Sequence, residues 1–334
     1  MAPLEEEDLA PDPSIVYACK ELRLDLKEQT EGAWGYAAEL ENLGGLDHPH
    51  LVKLRCSYTQ NHKAYIIMSP YAPLTLLSFM KNPDACAWYV AQTSPQRREM
   101  TLGWMSCMSS ALVYLHDAEM KHKDIKPDNI LIDCDHCHHE NYPLPVLTDF
   151  GISKKFSLSQ GSDSRGQSGT FFWQAPEHMR SEPAGRAADV FALGGIFLLL
   201  LALGHGNTTE TIIAALRGET IPASGFAAKL DEFVVPYIDD VSKTSDDSKS
   251  AWYLVKEMLA STPSERPTAR NVWTALKGIM EESGFRPHCS ALPRTPKTSH
   301  ESPERSVGGD DILDTTTVLA RLKLERQSSN TKSW

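Results

Sequence analysis

The ten residues His122–Leu131, HKDIKPDNIL, set a carboxylate at Asp124, a lysine two residues on at Lys126 and an amide five residues on at Asn129. Twenty residues after Asn129, LTDFG adds a second carboxylate, Asp149. Transfer of a phosphoryl group needs few protein parts. They are hard oxygens to hold a divalent cation, a positive charge on the phosphates, and a carboxylate that orients a hydroxyl and takes its proton. Residues 122–151 supply each type, and the oxygens of Asn129 and Asp149 suit Mg2+.

These residues must be held by something. The segment 122–180 is loop-rich, with short strands expected near 130–133 and 146–148. Upstream, 74–118 reads as helical, and MTLGWMSCMSSALVYLH repeats its apolar residues at helical spacing. Residues 15–70 mix strand-like runs at 15–20, 51–58 and 64–68 with one helical stretch at 31–46. Beyond 186 the periodicity predicts helices near 187–204, 208–217, 249–260 and 268–282. A small β-rich part therefore precedes a larger helical one.

HKDIKPDNIL, followed in order by LTDFG and SGTFFWQAPE, resembles the eukaryotic protein kinase family over about residues 14–282. The resemblance implies an α+β, two-lobed fold with an N-lobe at 14–70 and a C-lobe at 71–282, using ATP and Mg2+. It makes Asp124 the catalytic base, Lys126 the residue that neutralises the transferring phosphate, and Asn129 and Asp149 the metal ligands, Asp149 also serving ATP. His122 and Phe150 become packing residues around the catalytic loop. Glu177 becomes the partner of a distant arginine, for which Arg266 in STPSERPTA stands at the expected place. Asp189, opening the apolar helix, becomes the anchor of the catalytic-loop backbone. Lys126-Pro127, and Thr170 before the APE triplet as a substrate-facing residue, fit the Ser/Thr branch.

In the N-lobe the same resemblance gives Lys20, in VYACK, the ATP phosphates. Glu39, nineteen residues later in a helix trailed by HPHLV, is its ion-pair partner. The hinge is YIIMSPYAPL. There Met68 gates the adenine pocket, and Ser69 to Tyr71 present backbone groups to adenine. Pro70 has no N–H, so the donor is Tyr71.

Three features depart from the family pattern. Two strands and a turn would need about 20 residues before Lys20. The residues there are acidic, Pro-broken and free of Gly. The expectation is an N-lobe lacking its first two strands and the Gly-rich phosphate loop, through an incomplete start. The alternative is a pseudokinase or weakly active interaction module. Second, Lys123 stands where Arg is commoner, which keeps the charge but loses the two-pronged geometry. Ser162, Ser164 and Ser168 are then candidate sites for an activating kinase acting through Lys123. Third, residues 133–146 form an insertion whose Cys134, His136, Cys137, His138 and His139 crowd into six positions. A structural zinc takes better separated ligand pairs, so a surface turn is the expectation.

Composition bounds the rest. A net charge of −11 argues against broad nucleic-acid or anionic-membrane binding, but leaves room for a local basic patch. The seven cysteines show no disulfide spacing. The apolar run FALGGIFLLLLALG has fourteen residues, too few to span a bilayer, and reads as a buried helix. A cytoplasmic or nuclear protein without membrane insertion is expected, its partners being ATP and a protein substrate. Residues 1–13 and the Ser/Thr/Pro-rich 283–334 read as flexible.

Overall fold

A computed structural model describes residues 16–23, 36, 40, 43–133, 143–149, 172–206, 226–244 and 249–285. They fall into two compact units. The first holds the residues up to Gly44 together with Val52–Ala72; the second holds Gly45–Leu51 and the residues from Pro73 on.

The first unit is a three-stranded antiparallel sheet of β1 (Ala18–Arg23), β2 (Lys53–Gln60) and β3 (Lys63–Ser69), in the order β1-β3-β2. Each strand lies two to three residues further along, or is a residue or so longer, than the apolar runs suggested. Asn61 and His62, at φ 50° and 60°, join β2 to β3. Two left-handed residues make the tight turn that matches strand twist. On β3, Ala64, Ile66 and Met68 are buried while the residues between them are half-exposed. Tyr36, Leu40 and Leu43 are helical and buried. Their spacing of four and three is that of one helix face, as expected for 31–46.

The second unit begins with β4 (Leu74–Thr75), which pairs with β5 (Ile130–Asp133); β5 in turn pairs with β6 (Leu144–Leu147), all antiparallel. The expected helix over 74–118 is not continuous. It is a strand residue pair, then α1 (Leu76–Lys81), a 3-10 turn at Pro83–Ala85, α2 (Ala87–Val90) and α3 (Ser94–Asp117). Prolines mark the breaks: each lacks an N–H and is tolerated only in the first turn of a helix, not inside one. Pro83 ends α1, and Pro95 sits in the first turn of α3. The entry to α3 is closed by Gln96, whose Oε1 accepts from the Thr93 N–H at 2.9 Å.

α3 is buried over nearly its whole circumference from Met100 to Leu115. It packs against α5 (Arg186–Gly204), which follows the short α4 (Pro176–Met179). α5 is long and apolar enough to cross a membrane, yet 94% of its apolar window is buried inside the unit. Glycines allow the close packing. A Cβ on Gly194 would lie 2.9 Å from Met258 Cβ, and one on Gly204 would lie 2.5 Å from Thr101 Oγ1. The unit closes with α6 (Val235–Thr244), α7 (Lys249–Met258) and α8 (Ala269–Glu282). α6 was not marked by the sequence pattern, and the stretch expected as helix 208–217 lies outside the described residues.

Arg266 ties the second unit together. Its Nη1 and Nη2 donate to Glu177 Oε1 and Oε2, both at 2.8 Å. The remaining N–H groups reach the carbonyls of Ala260 (2.7 Å), Ala187 (3.0 Å) and Ser261 (3.3 Å), and the guanidinium lies over the Phe191 ring. All five donors of the fork are thus used. Burial alone would push the Glu177 carboxyl up, but the Arg266 hydrogen bonds, a backbone hydrogen bond and the charges of Arg266 and His178 together outweigh it and hold it below the usual range. Removing one partner leaves the other charge buried and bare. Arg266→Ala should lower the unfolding free energy by about 3–5 kcal/mol in urea titration. Glu177→Gln combined with Arg266→Met should cost less than the two single changes added.

Candidate active site

One buried carboxylate fixes the chemistry-bearing loop. Asp189, in the first turn of α5, is only 3% exposed. Its Oδ1 accepts the Lys123 N–H at 2.8 Å; its Oδ2 accepts the His122 N–H at 3.0 Å and meets His116 Nε2 at 3.0 Å. A carboxylate can only accept, so Nε2 of His116 carries the hydrogen. Burial alone would raise the Asp189 carboxyl, but the His116 bond, the pull of the two neighbouring histidines and the Lys123 N–H together outweigh it and hold it below the usual carboxylate range. Lys123 is left-handed at φ 65°. That conformation costs a non-glycine residue about 1–2 kcal/mol, and the bond to Asp189 helps offset the cost.

His122 is fully buried beside this clamp, and its Nδ1 faces the Asp124 N–H at 3.4 Å. Burial pushes its pKa down, against the weaker pull of the carboxylates of Asp189, Asp124 and Asp149. A neutral ring fits a nitrogen that accepts.

Beyond the clamp, Pro127–Asn129 form a single 3-10 turn, and Asn129 N–H donates to Lys126 O at 3.0 Å. The turn brings three side chains together. Lys126 Nζ lies 3.0 Å from Asp124 Oδ2. Asn129 Nδ2 donates to the Asp124 carbonyl at 2.9 Å and to Asp124 Oδ2 at 3.2 Å. Asn129 leads straight into β5, whose Ile130 pairs with Leu147 of β6. Thr148 N–H then donates to Asn129 O at 3.0 Å, so Asp149 follows one residue past that bond, at φ 57°. Strand pairing therefore delivers Asp149 to the end of the sheet that carries Asn129.

The donor set fits a hard cation. Asn129 spends its amide nitrogen on Asp124, which turns its oxygen the other way, and Asp149 adds a carboxylate. Two oxygens fall short of an octahedron, and phosphate oxygens and water complete such sites. Among the described residues no group of three or more His, Cys, Asp or Glu could hold a metal ion by itself. Residues 134–142, with the cysteines and histidines of the insertion, lie outside the described residues.

In the first unit Lys20 is half-buried on β1, with Ile66 opposite it; two residues back, Ala18 faces Met68. Cross-strand pairs share a face, so Lys20, Ile66 and Met68 lie on one side of the sheet. Ser69 is buried and its hydroxyl accepts from Arg55 Nε at 2.6 Å, while Tyr71 is exposed. Glu39, Phe150, Thr170, Ser162, Ser164 and Ser168 lie outside the described residues. The sequence did not disclose His116. A lone histidine at a helix end carries no motif, and only its six-residue spacing ahead of His122 hints that both reach Asp189.

Two measurements check the clamp. Asp189→Ala should raise the hydrogen-exchange rates of the His122 and Lys123 amides by about ten- to a hundredfold, more than those of α3. For His122, the folded-state value lies below the ordinary imidazole value of about 6.5, so stability is fully present above about pH 6.5. It declines as pH falls from there toward the lowered value, because the unfolded chain takes a proton that the folded one refuses. The urea midpoint should drop over that window, and His122→Gln should flatten the drop.

Comparison with known proteins gives the following. Residues 11–275 match the model of the protein kinase domain. The chain is 27% identical over 255 residues to the serine/threonine-protein kinase AtPK2/AtPK19 of Arabidopsis thaliana, covering 76% of this chain and 46% of that protein. It is 29% identical over 195 residues to the serine/threonine-protein kinase PrkC of Bacillus subtilis, covering 58% and 27%. It is 28% identical over 275 residues to the probable leucine-rich repeat receptor-like protein kinase IMK3 of Arabidopsis thaliana, covering 79% and 32%. The chain thus spans less than half the length of each of these relatives.

Proposed function

The chain belongs to the protein kinase family, and from that premise we propose that it transfers the γ-phosphate of ATP to Ser or Thr hydroxyls of a protein substrate, with Mg2+ as the metal. The observation that carries this is the group Asp124, Lys126 and Asn129, drawn together on a loop whose backbone Asp189 clamps. Asp124 orients the acceptor hydroxyl and takes its proton as the oxygen attacks phosphorus. Lys126, at 3.0 Å from Asp124, brings positive charge to where the transferring group gains negative charge. Asn129 and Asp149 would hold the metal, which when bound neutralises phosphate charge. Lys20 with Glu39 serves the other phosphates, and the backbone from Ser69 to Tyr71, past Met68, serves adenine. Phosphorylation of Ser162, Ser164 or Ser168 by an activating kinase belongs to the same reading. So do Thr170 as a substrate-facing residue and a kinase domain over 14–282, divided into an N-lobe at 14–70 and a C-lobe at 71–282.

ATP with Mg2+ should raise the melting temperature by mass action; ATP at a hundred times its Kd corresponds to about 2.7 kcal/mol. Asp149→Asn should abolish the metal-dependent part. Asp124→Ala should keep the thermal shift and cut single-turnover transfer to a Ser/Thr protein by about 10²–10⁴-fold. A chain that shows neither shift nor transfer would be an interaction module instead.

A further inference from the structure

A small open recess lies beside Asp124 in the second unit. Its floor is apolar and made small by Ala175 and Ala188, with Trp173 and Ile125 alongside. Gly185 lines it too, and a Cβ there would meet nothing within 4 Å, so the space continues past that residue. The rim carries the exposed cations Lys121 and Lys123.

The charges around this space do not cancel. Two carboxylates line it, and both are committed. Asp189 holds the His122 and Lys123 backbone and His116. Asp124 meets Lys126 and Asn129. Among the described residues neither Lys121 nor Lys123 meets a carboxylate; Lys121 Nζ donates to a neutral acceptor, Ala184 O, at 3.2 Å across the recess. Lys123 cannot swing its backbone away, because its left-handed φ of 65° is fixed by the Asp189 bond. A lysine held in a costly conformation at the edge of a cavity marks a constraint on where its charge must be. The chain as a whole is acidic, at −11, so a site with two uncompensated lysines is a local exception to its own surface.

We propose that this recess is a substrate subsite for an anionic side chain, a carboxylate or a phosphorylated hydroxyl, close in sequence to the Ser or Thr that Asp124 serves. The inference rests on the phosphoryl-transfer reading. Its location supplies the link. Asp124 lines the same recess, and consecutive residues of an extended peptide advance by about 3.3–3.6 Å, so a residue one to three positions from the acceptor reaches the rim. Two partly exposed charge pairs each give a modest gain, which sets the scale of the preference.

The test uses the full chain and synthetic Ser peptides in which one Glu, phosphoserine or Lys is scanned from three residues before the acceptor to three after it. At one or more positions, Glu or phosphoserine should raise kcat/KM over Lys by about 5- to 10-fold, and added salt should shrink the ratio. Lys121→Glu should invert the ratio, and Gly185→Leu, which sets a bulky side chain on the lining of the recess, should bring it toward one. Equal kcat/KM for all peptides, with transfer intact, would overturn the subsite and leave the transfer reading standing. Loss of transfer to every peptide and protein would sink both. A chain carrying Ser162→Ala, Ser164→Ala and Ser168→Ala tests the other source of the same chemistry. The preference should persist there; if it emerges only in that chain, a phosphorylated segment of the protein itself fills the recess, and the substrate assignment falls.

Discussion

The carboxylate of Asp189 cannot be buried without donors, and the donors it takes are the backbone N–H groups of the loop that bears Asp124. A bare buried carboxylate would be pushed toward its neutral form by several kcal/mol of lost hydration. Here His116, His122 N–H and Lys123 N–H replace that hydration, and the carboxyl is held below its ordinary range. The stabilisation is mutual. The acid needs the loop to stay charged, and the loop needs the acid to hold Lys123 left-handed. Asp189 itself rides on α5, whose apolar length fills the core of the second unit. The loop that bears Asp124 is therefore tied to the buried core of that unit.

Arg266 extends the same logic. Its fork takes Glu177 at the start of α4 and the Ala187 carbonyl at the start of α5, so one side chain fixes the spacing of the two segments that flank the recess. The carbonyls of Ala260 and Ser261 anchor the arginine from the far side. Lys121 and Ala184 then meet across a gap whose width is already set. A second tie runs through His48 and His50. His50 Nδ1 lies 2.8 Å from Pro145 O, and His48 Nε2 lies 2.9 Å from Ser110 Oγ on α3. These contacts bind Gly45–Leu51 to the second unit, although both flanking segments belong to the first.

How much of this could be read from the residues depends on the range of each interaction. The 122–149 signature was legible because its parts lie within one loop and two adjacent strands; Ile130 pairing with Leu147 is a short-range consequence of β5 and β6. The pairing of Glu177 with Arg266, 89 residues apart, was legible only through family resemblance, since neither residue carries a local sign of its partner. The break of 74–118 into three helices was written in Pro83 and Pro95 but masked by an apolar period that runs through both. His116 was missed because its role exists only in three dimensions. α6 was missed because the residues around it form 3-10 and π turns first, from Phe226 to Val234, which blur the helical period.

The positive-φ residues at the site show what the fold accepts for function. Among the described non-glycine residues six are left-handed, and two of them, Lys123 and Asp149, stand in the candidate site. Glycine would hold either backbone at no steric cost, so local stability alone would favour it. It would also remove a cation from the rim of the recess in one case and a carboxylate from the end of β6 in the other. Each strained residue is held by neighbours that cannot easily yield. Lys123 is gripped by Asp189, and Asp149 follows directly on the Thr148 to Asn129 bond at the close of a strand pair. The strain is thus not a local defect but a consequence of placing a charged side chain where the backbone must turn. The surrounding core, with Asp189 at its edge, is rigid enough to keep it there.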